Sequence, residues 1–430
     1  MLNKNFTLRF YSIVYIFLFS IILSENFPVI DIMVNGNQDS RINIIFLGDG
    51  YTEDQMNDFI LDVEDVTTGL FNSSPYSNYL NYFNVYAVKV PSNESGTDHP
   101  GTASDCGVHS NNVFYADTYF DSTFDNGNIH RALVINNSSA VYNVLMNNTP
   151  YWDIVFMMVN TTMYGGTGGA FATFSRHSDS IEIAIHEAGH SFAGLSDEYW
   201  AGFQFANENV NMTQNSNESS IIWNQWLYDY GIGIYPYENP GNSWHRPHQS
   251  CKMRYLGSPF CSVCSEHTIK TIYSILDPIN IYFPESLHVV LPSNGTAYFI
   301  VEPIYTFPNT LYINWFIDNQ PIQVETPSIV FDASLYSQGP HQIKAVVSDL
   351  TELVRNDNLN LLQSEVIWNI TIEPPYIGDL NLDGNIDISD IVLAINLILN
   401  NQFNNLADMN EDGLINVQDI ILLINIILYR

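Results

Sequence analysis

The sequence predicts a chain of successive parts: an α/β unit, an all-β sandwich and a small α module built on two similar loops. Strand-like runs, glycine turns and amphipathic stretches alternate up to an apolar helix that holds His186-Glu187-Ala188-Gly189-His190. From about Pro278 the pattern changes to short alternating runs split by Pro and Gly. Near the C-terminus a loop rich in Asp, Asn and Gly occurs twice, each copy followed by an apolar helix.

Lys4 and Arg9 precede an apolar run from Phe10 to Leu23 that ends at Ser24 and Glu25. This is a signal peptide in form, over 1–24, and too short for a comfortable membrane span. A retained signal anchor is the other reading. No later stretch is apolar enough to cross a bilayer, so the mature chain is expected to be secreted, or tethered at the cell surface. The 430 residues carry 13 Lys plus Arg against 46 Asp plus Glu, a formal charge of -33. Such a charge repels nucleic acid and anionic membrane, so no nucleic-acid partner is expected.

A catalytic unit is expected over 25–277. Arg41 to Leu47 reads as a strand, Gly48-Asp49-Gly50-Tyr51 as a turn, and Thr52 to Phe71 as an amphipathic helix. Asp49 is expected to hydrogen-bond nearby backbone in that turn. Phe83 to Val90 alternates as a second strand that Pro91 ends, and Ser92 to Thr102 is a polar loop of the kind that rims clefts. Ile154 to Val159 is a third strand. It leads into Tyr164-Gly165-Gly166-Thr167-Gly168-Gly169, which suits a close backbone approach, a substrate-binding sheet edge or a flexible surface loop.

On a helix, His186 and His190 project from one face and can share a zinc ion, while Glu187 sits where it can take a proton from a zinc-bound water. Core histidines held by hydrogen bonds are the plainer reading. A catalytic zinc needs a third protein ligand and one open position. Gly194 lets the chain leave the helix and turn back, and counting three residues on, as in metzincins, gives Asp197. Glu198 is the alternative, and both acids, with Tyr199, have a supporting hydrogen-bond role as their other reading. The fold expected is therefore zincin-like, in the metzincin manner.

Cys106, Cys251, Cys261 and Cys264 fit two disulfides in an exported protein, in any of three pairings, or Cys261-Ser262-Val263-Cys264 forms half of a structural zinc site. Sequons at Asn93, Asn160 and Asn211 are glycan acceptors if the chain passes through a eukaryotic secretory pathway.

Gly48-Asp49-Gly50-Tyr51, Pro75-Tyr76, Phe83-Asn84-Val85-Tyr86, Pro91-Ser92, Glu94-Ser95-Gly96, Tyr164-Gly165-Gly166 and His186 to Tyr199, in that order, resemble the clostridial IgA peptidase family of secreted zinc metallopeptidases. The resemblance covers roughly 28 to 275. It implies a zinc endopeptidase fold with His186 and His190 as ligands, Glu187 as the catalytic residue, and an acid of Leu195-Ser196-Asp197-Glu198-Tyr199 completing the site. Immunoglobulin cleavage is not carried over. Met253, in Cys251-Lys252-Met253-Arg254-Tyr255, either lies beneath the zinc as a Met-turn or is ordinary packing. His245, His248 and Tyr255 are further candidates for the cleft wall.

Residues 278–374 are expected to form an immunoglobulin-like sandwich, from runs such as Ala297 to Val301, Leu311 to Ile317 and Gln342 to Val347. They carry no catalytic constellation, so a spacer or binding module is expected. In 375–430, two loops fall in EF-hand register. The first offers Asp379, Asn381, Asp383, Asn385, Asp387 and Asp390, and the second Asp408, Asn410, Asp412, Leu414, Asn416 and Asp419, with Gly384 and Gly413 at the sixth position. Asp at position 12, with a clear helix only after each loop, resembles the dockerin module, which implies calcium and a cohesin-like partner. A calcium-stapled cap is the other reading.

The function expected is an exported zinc endopeptidase acting on extracellular proteins or glycoproteins. The alternative is a non-catalytic cell-surface or extracellular binding protein on a zincin scaffold.

Overall fold

The computed structural model describes residues 26–107, 113–200, 202–237, 243–324 and 326–429. The signal peptide expected over 1–24 lies outside the described residues. In chain order, strands β1 (Val29–Met33), β2 (Ile42–Asp49), β3 (Phe83–Val88), β4 (Ser122–Thr123), β5 (Val134–Ile135), β6 (Ile154–Val159), β7 (Gly166–Thr167) and β8 (Ala172–Ser175) alternate with helices α1 (Met56–Phe71), α2 (Ser138–Asn148) and α3 (Ser180–Ser191). Six strands form one sheet in the order β1-β3-β2-β6-β8-β7. Its centre is parallel, and its two edges, β1 and β7, run antiparallel to their neighbours.

β2 is buried along its whole length and mostly apolar because it is covered on both faces. Ile42, Ile44 and Phe46 pack with Phe59 and Val63 of α1 and with Ile183 and Ala184 of α3. The alternate residues Ile45 and Leu47 face Val141, Val144 and Leu145 of α2. α1 buries Met56, Phe59, Val63, Val66 and Leu70, a spacing that lines one helical face. Asp49, at the end of β2, is fully buried and accepts from the Phe120 and Ser122 amides and the Thr118 hydroxyl. It therefore anchors a distant loop rather than the local turn expected of it, whose Gly50 amide bonds to Ser92 Oγ instead.

After the short ladder of β9 (Tyr235–Pro236) and β10 (His245–Arg246), α4 (Ser262–Ile275) completes this unit. Strands β11 (Ile279–Phe283), β12 (His288–Pro292), β13 (Thr296–Pro303), β14 (Leu311–Ile317), β15 (Gln320–Ile322), β16 (Ser328–Asp332), β17 (Gly339–Asp349) and β18 (Gln363–Glu373) follow. They make one sheet of three strands and one of five. The inward residues of both close over Trp315 and Trp368, whose rings stack 6.0 Å apart. This sandwich is docked rather than strung on as a spacer. Tyr79 and Tyr273 each donate a hydroxyl to buried Asp349, at 2.6 and 2.7 Å, and Ile304 and Leu362 join the core of the first unit.

Helices α5 (Ile388–Leu399) and α6 (Val417–Leu428) end the chain. Asp387 and Asn416 cap them by accepting from the Ser389 and Gln418 amides.

The expected disulfides are absent: all four cysteines are free. Cys106 sits beside His99, whereas the other three gather around one carboxylate, so the four cannot form two pairs. Two of the sequon asparagines are also closed to glycan. Asn160 and Asn211 are buried, with side-chain amides bonded to the Gly50 and Ser196 carbonyls.

Candidate active site

The apolar residues of α3 bury Ile183, Ala184 and Ile185 and bring His186 and Glu187 into the interior with them. One helical turn separates the imidazoles, whose ring centroids lie 4.9 Å apart. The helix stops because Gly194 takes a φ of +62°, a conformation that favours glycine. Gly194 N–H bonds back to the His190 carbonyl, the single bond of the αL helix stop, and Leu195 N–H bonds to that of Gly189. This reversal sets the Leu195 carbonyl 2.6 Å from His190 Nδ1 and swings Asp197 over the histidines.

Asp197 Oδ1 lies 3.2 Å from Nε2 of both His186 and His190. Each imidazole meets a backbone carbonyl at its other nitrogen, His186 at Lys252 O (3.0 Å) and His190 at Leu195 O (2.6 Å). Carbonyls only accept, so both Nδ1 atoms carry hydrogens and the Nε2 lone pairs are aimed at Asp197. Two such lone pairs and a carboxylate oxygen repel one another unless a proton or a cation sits among them. Burial holds the Asp197 carboxyl up, but the two imidazoles outweigh it and bring it below the usual range. Burial likewise lowers His190, yet Asp197 raises it to about 9. The donor set is nitrogen, nitrogen and oxygen on one side of an open cavity, which fits a zinc-class cation with a vacant coordination position.

Glu198, the alternative third ligand, points away. The chain bends at Glu198 and Tyr199, and Glu198 is fully buried among Cys251, Cys261 and Cys264. Tyr199 returns to the site, its ring stacked on His186 at 6.4 Å.

Glu187 faces the glycine-rich stretch. A Cβ on Gly166 would lie 2.8 Å from Glu187 Oε1, and one on Gly168 would lie 2.4 Å from His190 Cβ, so the backbone approaches as closely as it does because these positions lack side chains. β7, within this stretch, is the edge strand of the sheet. Burial pushes the Glu187 carboxyl above its usual range, against the pull of both imidazoles. Met253 lies under the helix, where a Cβ on Gly189 would meet its sulfur at 2.6 Å.

In the C-terminal module the two loops repeat one hydrogen-bond pattern. Asp379 accepts from the Asp383 and Gly384 amides, and Asp408 from those of Asp412 and Gly413. Asp390 accepts from the Leu380, Asn381 and Asp387 amides, and Asp419 from those of Met409 and Asn416. Asn381 and Asn410 accept from Asp383 and Asp412, and those acids accept from the seventh-position amides of Asn385 and Leu414. The first and last carboxylates of each loop are buried, and among the described residues no cationic side chain pairs with them, an arrangement that fits an oxygen-seeking divalent cation.

Residues 30–231 match the model of the family described as IgA Peptidase M64, and residues 377–428 match that of the dockerin type I domain. The chain carries a peptidase domain of the M64 family and a type I dockerin. No curated protein matches it. A solved structure of fibronectin(III)-like modules of CbhA from Clostridium thermocellum matches at 13% identity, over 22% of this chain and 94% of that one, with a TM-score of 0.16. At that TM-score the likeness says nothing about the fold.

The M64 domain opens a cavity of about 820 Å³ over the histidines. Its wall includes Glu187, Asp197, Tyr199, the 166–169 glycine stretch and Arg131. Arg131 donates to the Tyr199 hydroxyl at 3.1 Å and lies over its ring. Nothing in the sequence singles it out, since it stands alone in a loop more than fifty residues before the HExxH motif. The cavity rim is formed by 126–132 rather than by the Ser92 to Thr102 loop, which is tied behind it through the Thr102 amide and Asp125. His245, His248 and Tyr255 line neither this cavity nor the smaller one beside Glu187. His245 is held in β10 instead, and Tyr255 is half exposed.

Proposed function

We propose that the chain is a zinc-dependent endopeptidase that works outside the cell, with His186, His190 and Asp197 as metal ligands and Glu187 as the catalytic residue. The observation that supports this most directly is the convergence of three lone-pair donors on one point of an open cavity, the two imidazoles oriented by backbone carbonyls. When bound, zinc supplies a Lewis acid that polarises the scissile carbonyl and makes water acidic. Glu187, buried and with its carboxyl raised above the usual range, accepts the proton of the attacking water and returns it to the departing amine. Arg131 and Tyr199 face the same cavity and orient the substrate carbonyl region. β7 is an edge strand of the sheet, and an extended peptide adds along this edge beyond Gly166, whose N–H is already bonded to the Arg131 carbonyl, through main-chain hydrogen bonds. In this reading the first unit is zincin-like, the sandwich immunoglobulin-like, and the substrate an extracellular protein or glycoprotein.

The type I dockerin implies a cohesin partner, so the peptidase is tethered where that partner sits. α5 and α6 leave Ile388, Val392, Leu399, Val417, Ile421 and Leu428 more than half exposed, an apolar face suited to docking. The loops take calcium.

The test is Glu187→Gln. It keeps zinc, measured by elemental analysis, and cuts cleavage of a denatured protein mixture by about 100- to 10,000-fold, the range expected when a general base is lost. A variant as active as the parent would overturn the mechanism.

A further inference from the structure

Three of the four cysteines come together with the acidic residue that does not face the histidines. Cys251 Sγ and Cys264 Sγ are 3.7 Å apart, and Glu198 Oε1 lies 3.2 Å from Cys264 Sγ and 4.0 Å from Cys261 Sγ. All four ligand atoms fall within 4.8 Å of one another. The group is sealed: Cys251, Cys264 and Glu198 have no exposed surface and Cys261 is 7% exposed. Asn211 donates to Glu198 Oε1, while Oε2 has no hydrogen-bond partner. Buried Arg246 near by donates to the Glu198 backbone carbonyl rather than to the carboxylate, and three thiols do not neutralise that carboxylate.

We propose that Glu198, Cys251, Cys261 and Cys264 bind a second, structural zinc ion. A tetrahedron with zinc–sulfur arms of about 2.3 Å has sulfur–sulfur edges of roughly 3.8 Å, and with an oxygen arm of about 2.1 Å the sulfur–oxygen edges are roughly 3.6 Å. The observed 3.7 Å sulfur pair and the 3.2 and 4.0 Å sulfur–oxygen pairs bracket these edges, whereas a disulfide would need about 2.05 Å. Three soft thiolates with one carboxylate suit zinc better than copper(I), which avoids oxygen. With four protein donors and no cavity, the site is closed, the mark of a structural rather than a catalytic zinc.

The surroundings balance the negative donors. Cys261 caps α4 and Cys264 lies in its first turn, at the positive end of the helix dipole. Arg246, 4% exposed, donates to the Glu198 carbonyl. The ion ties together the 195–199 segment, the 251–253 turn and α4. That turn also supplies the Lys252 carbonyl to His186 and accepts the Glu198 amide at Met253 O. The structural zinc thus fixes the backbone on which the histidine site rests.

A second group, His99, Cys106, Asp125 and His130, contains one thiol, and its members are bonded in pairs, Cys106 to His99 and His130 to Asp125. It serves as the control. The experiment is zinc-edge X-ray absorption with elemental analysis on the full-length wild type, the His186→Ala/His190→Ala double variant and Cys106→Ser. The double variant should retain about one zinc per chain, with sulfur neighbours at about 2.3 Å outnumbering nitrogen and oxygen. Cys106→Ser should keep the same sulfur shell. Zinc coordinated by nitrogen and oxygen alone, a double variant without zinc, loss of the sulfur shell in Cys106→Ser, or a disulfide among Cys251, Cys261 and Cys264 would each overturn the assignment. Because the readout is the metal's neighbours and not cleavage, it fails or succeeds separately from the peptidase reading.

Discussion

The HExxH site and the dockerin loops both gather side-chain donors around a point, but they are built in opposite ways. The first draws His186 and His190 from a helix, Asp197 from the reversal after it, and orienting carbonyls from Leu195 and Lys252. Each loop takes its donors from twelve consecutive residues and holds them with its own amides. The first site is embedded in a core of large side chains such as Phe59, Met253 and Phe260. Among the described residues of the dockerin, the buried apolar side chains are only Ala394, Ala407 and Leu423. A site supported by a core is shaped before its ion arrives, while a module with so little core needs the ion to fold.

The largest effect should come from withdrawing calcium. A calcium-selective chelator should unfold the dockerin, seen as loss of the helical signal contributed by α5 and α6 and loss of any cohesin binding, while cleavage by the M64 domain stays within about twofold, because that domain has its own core. A zinc-selective chelator should do the reverse. If calcium removal abolished cleavage, or left the dockerin helices intact, the contrast between the two constructions would be wrong.

The close packing behind His190 offers a sharper cut into the first site. Gly168→Ala places a methyl group 2.4 Å from His190 Cβ, and the edge strand and helix cannot separate without moving the imidazole. We expect zinc affinity or kcat/KM to fall about 10- to 100-fold, as when a residue that orients a ligand is lost, with calcium binding by the dockerin unchanged. Activity equal to the parent, in a chain with normal zinc content, would mean that the glycine stretch gives way easily.

The same contrast explains what could be read from the chain alone. The dockerin loops were fully legible, since donor spacing, turn glycine and following helix are all local. The strand Ile154–Val159 and the helix Ser180–Ser191 could also be read, because continuous burial and one-turn spacing leave marks in consecutive residues. Contacts made across the fold leave none. The choice between Asp197 and Glu198 rests on how the backbone bends after the helix stop, and the partners of the cysteines rest on a turn and a helix more than fifty residues after Glu198. Export suggested disulfides, yet an odd number of thiols around one carboxylate is a different chemistry. Arg131 was invisible for the same reason: a single arginine in a loop acquires a role only when the fold sets it against Tyr199.

The smallest effect expected lies within the dockerin, between its two loops. They share one hydrogen-bond scheme but differ in charge at the ninth position, where the first has Asp387 and the second Asn416. Both residues cap a helix through one side-chain oxygen, so the fold tolerates either, and the difference falls on the cation. Calcium affinity in such loops rises with the number of carboxylates around the ion. The first loop should therefore fill before the second, and Asn416→Asp should tighten the second by about three- to tenfold and bring the two binding steps together. Calorimetric titration of the calcium-stripped full-length chain reads this directly, with the M64 domain as a silent companion. Two equal sites in the parent, or no change on Asn416→Asp, would show that the ninth position serves the helix alone and that the loops are equivalent toward the ion.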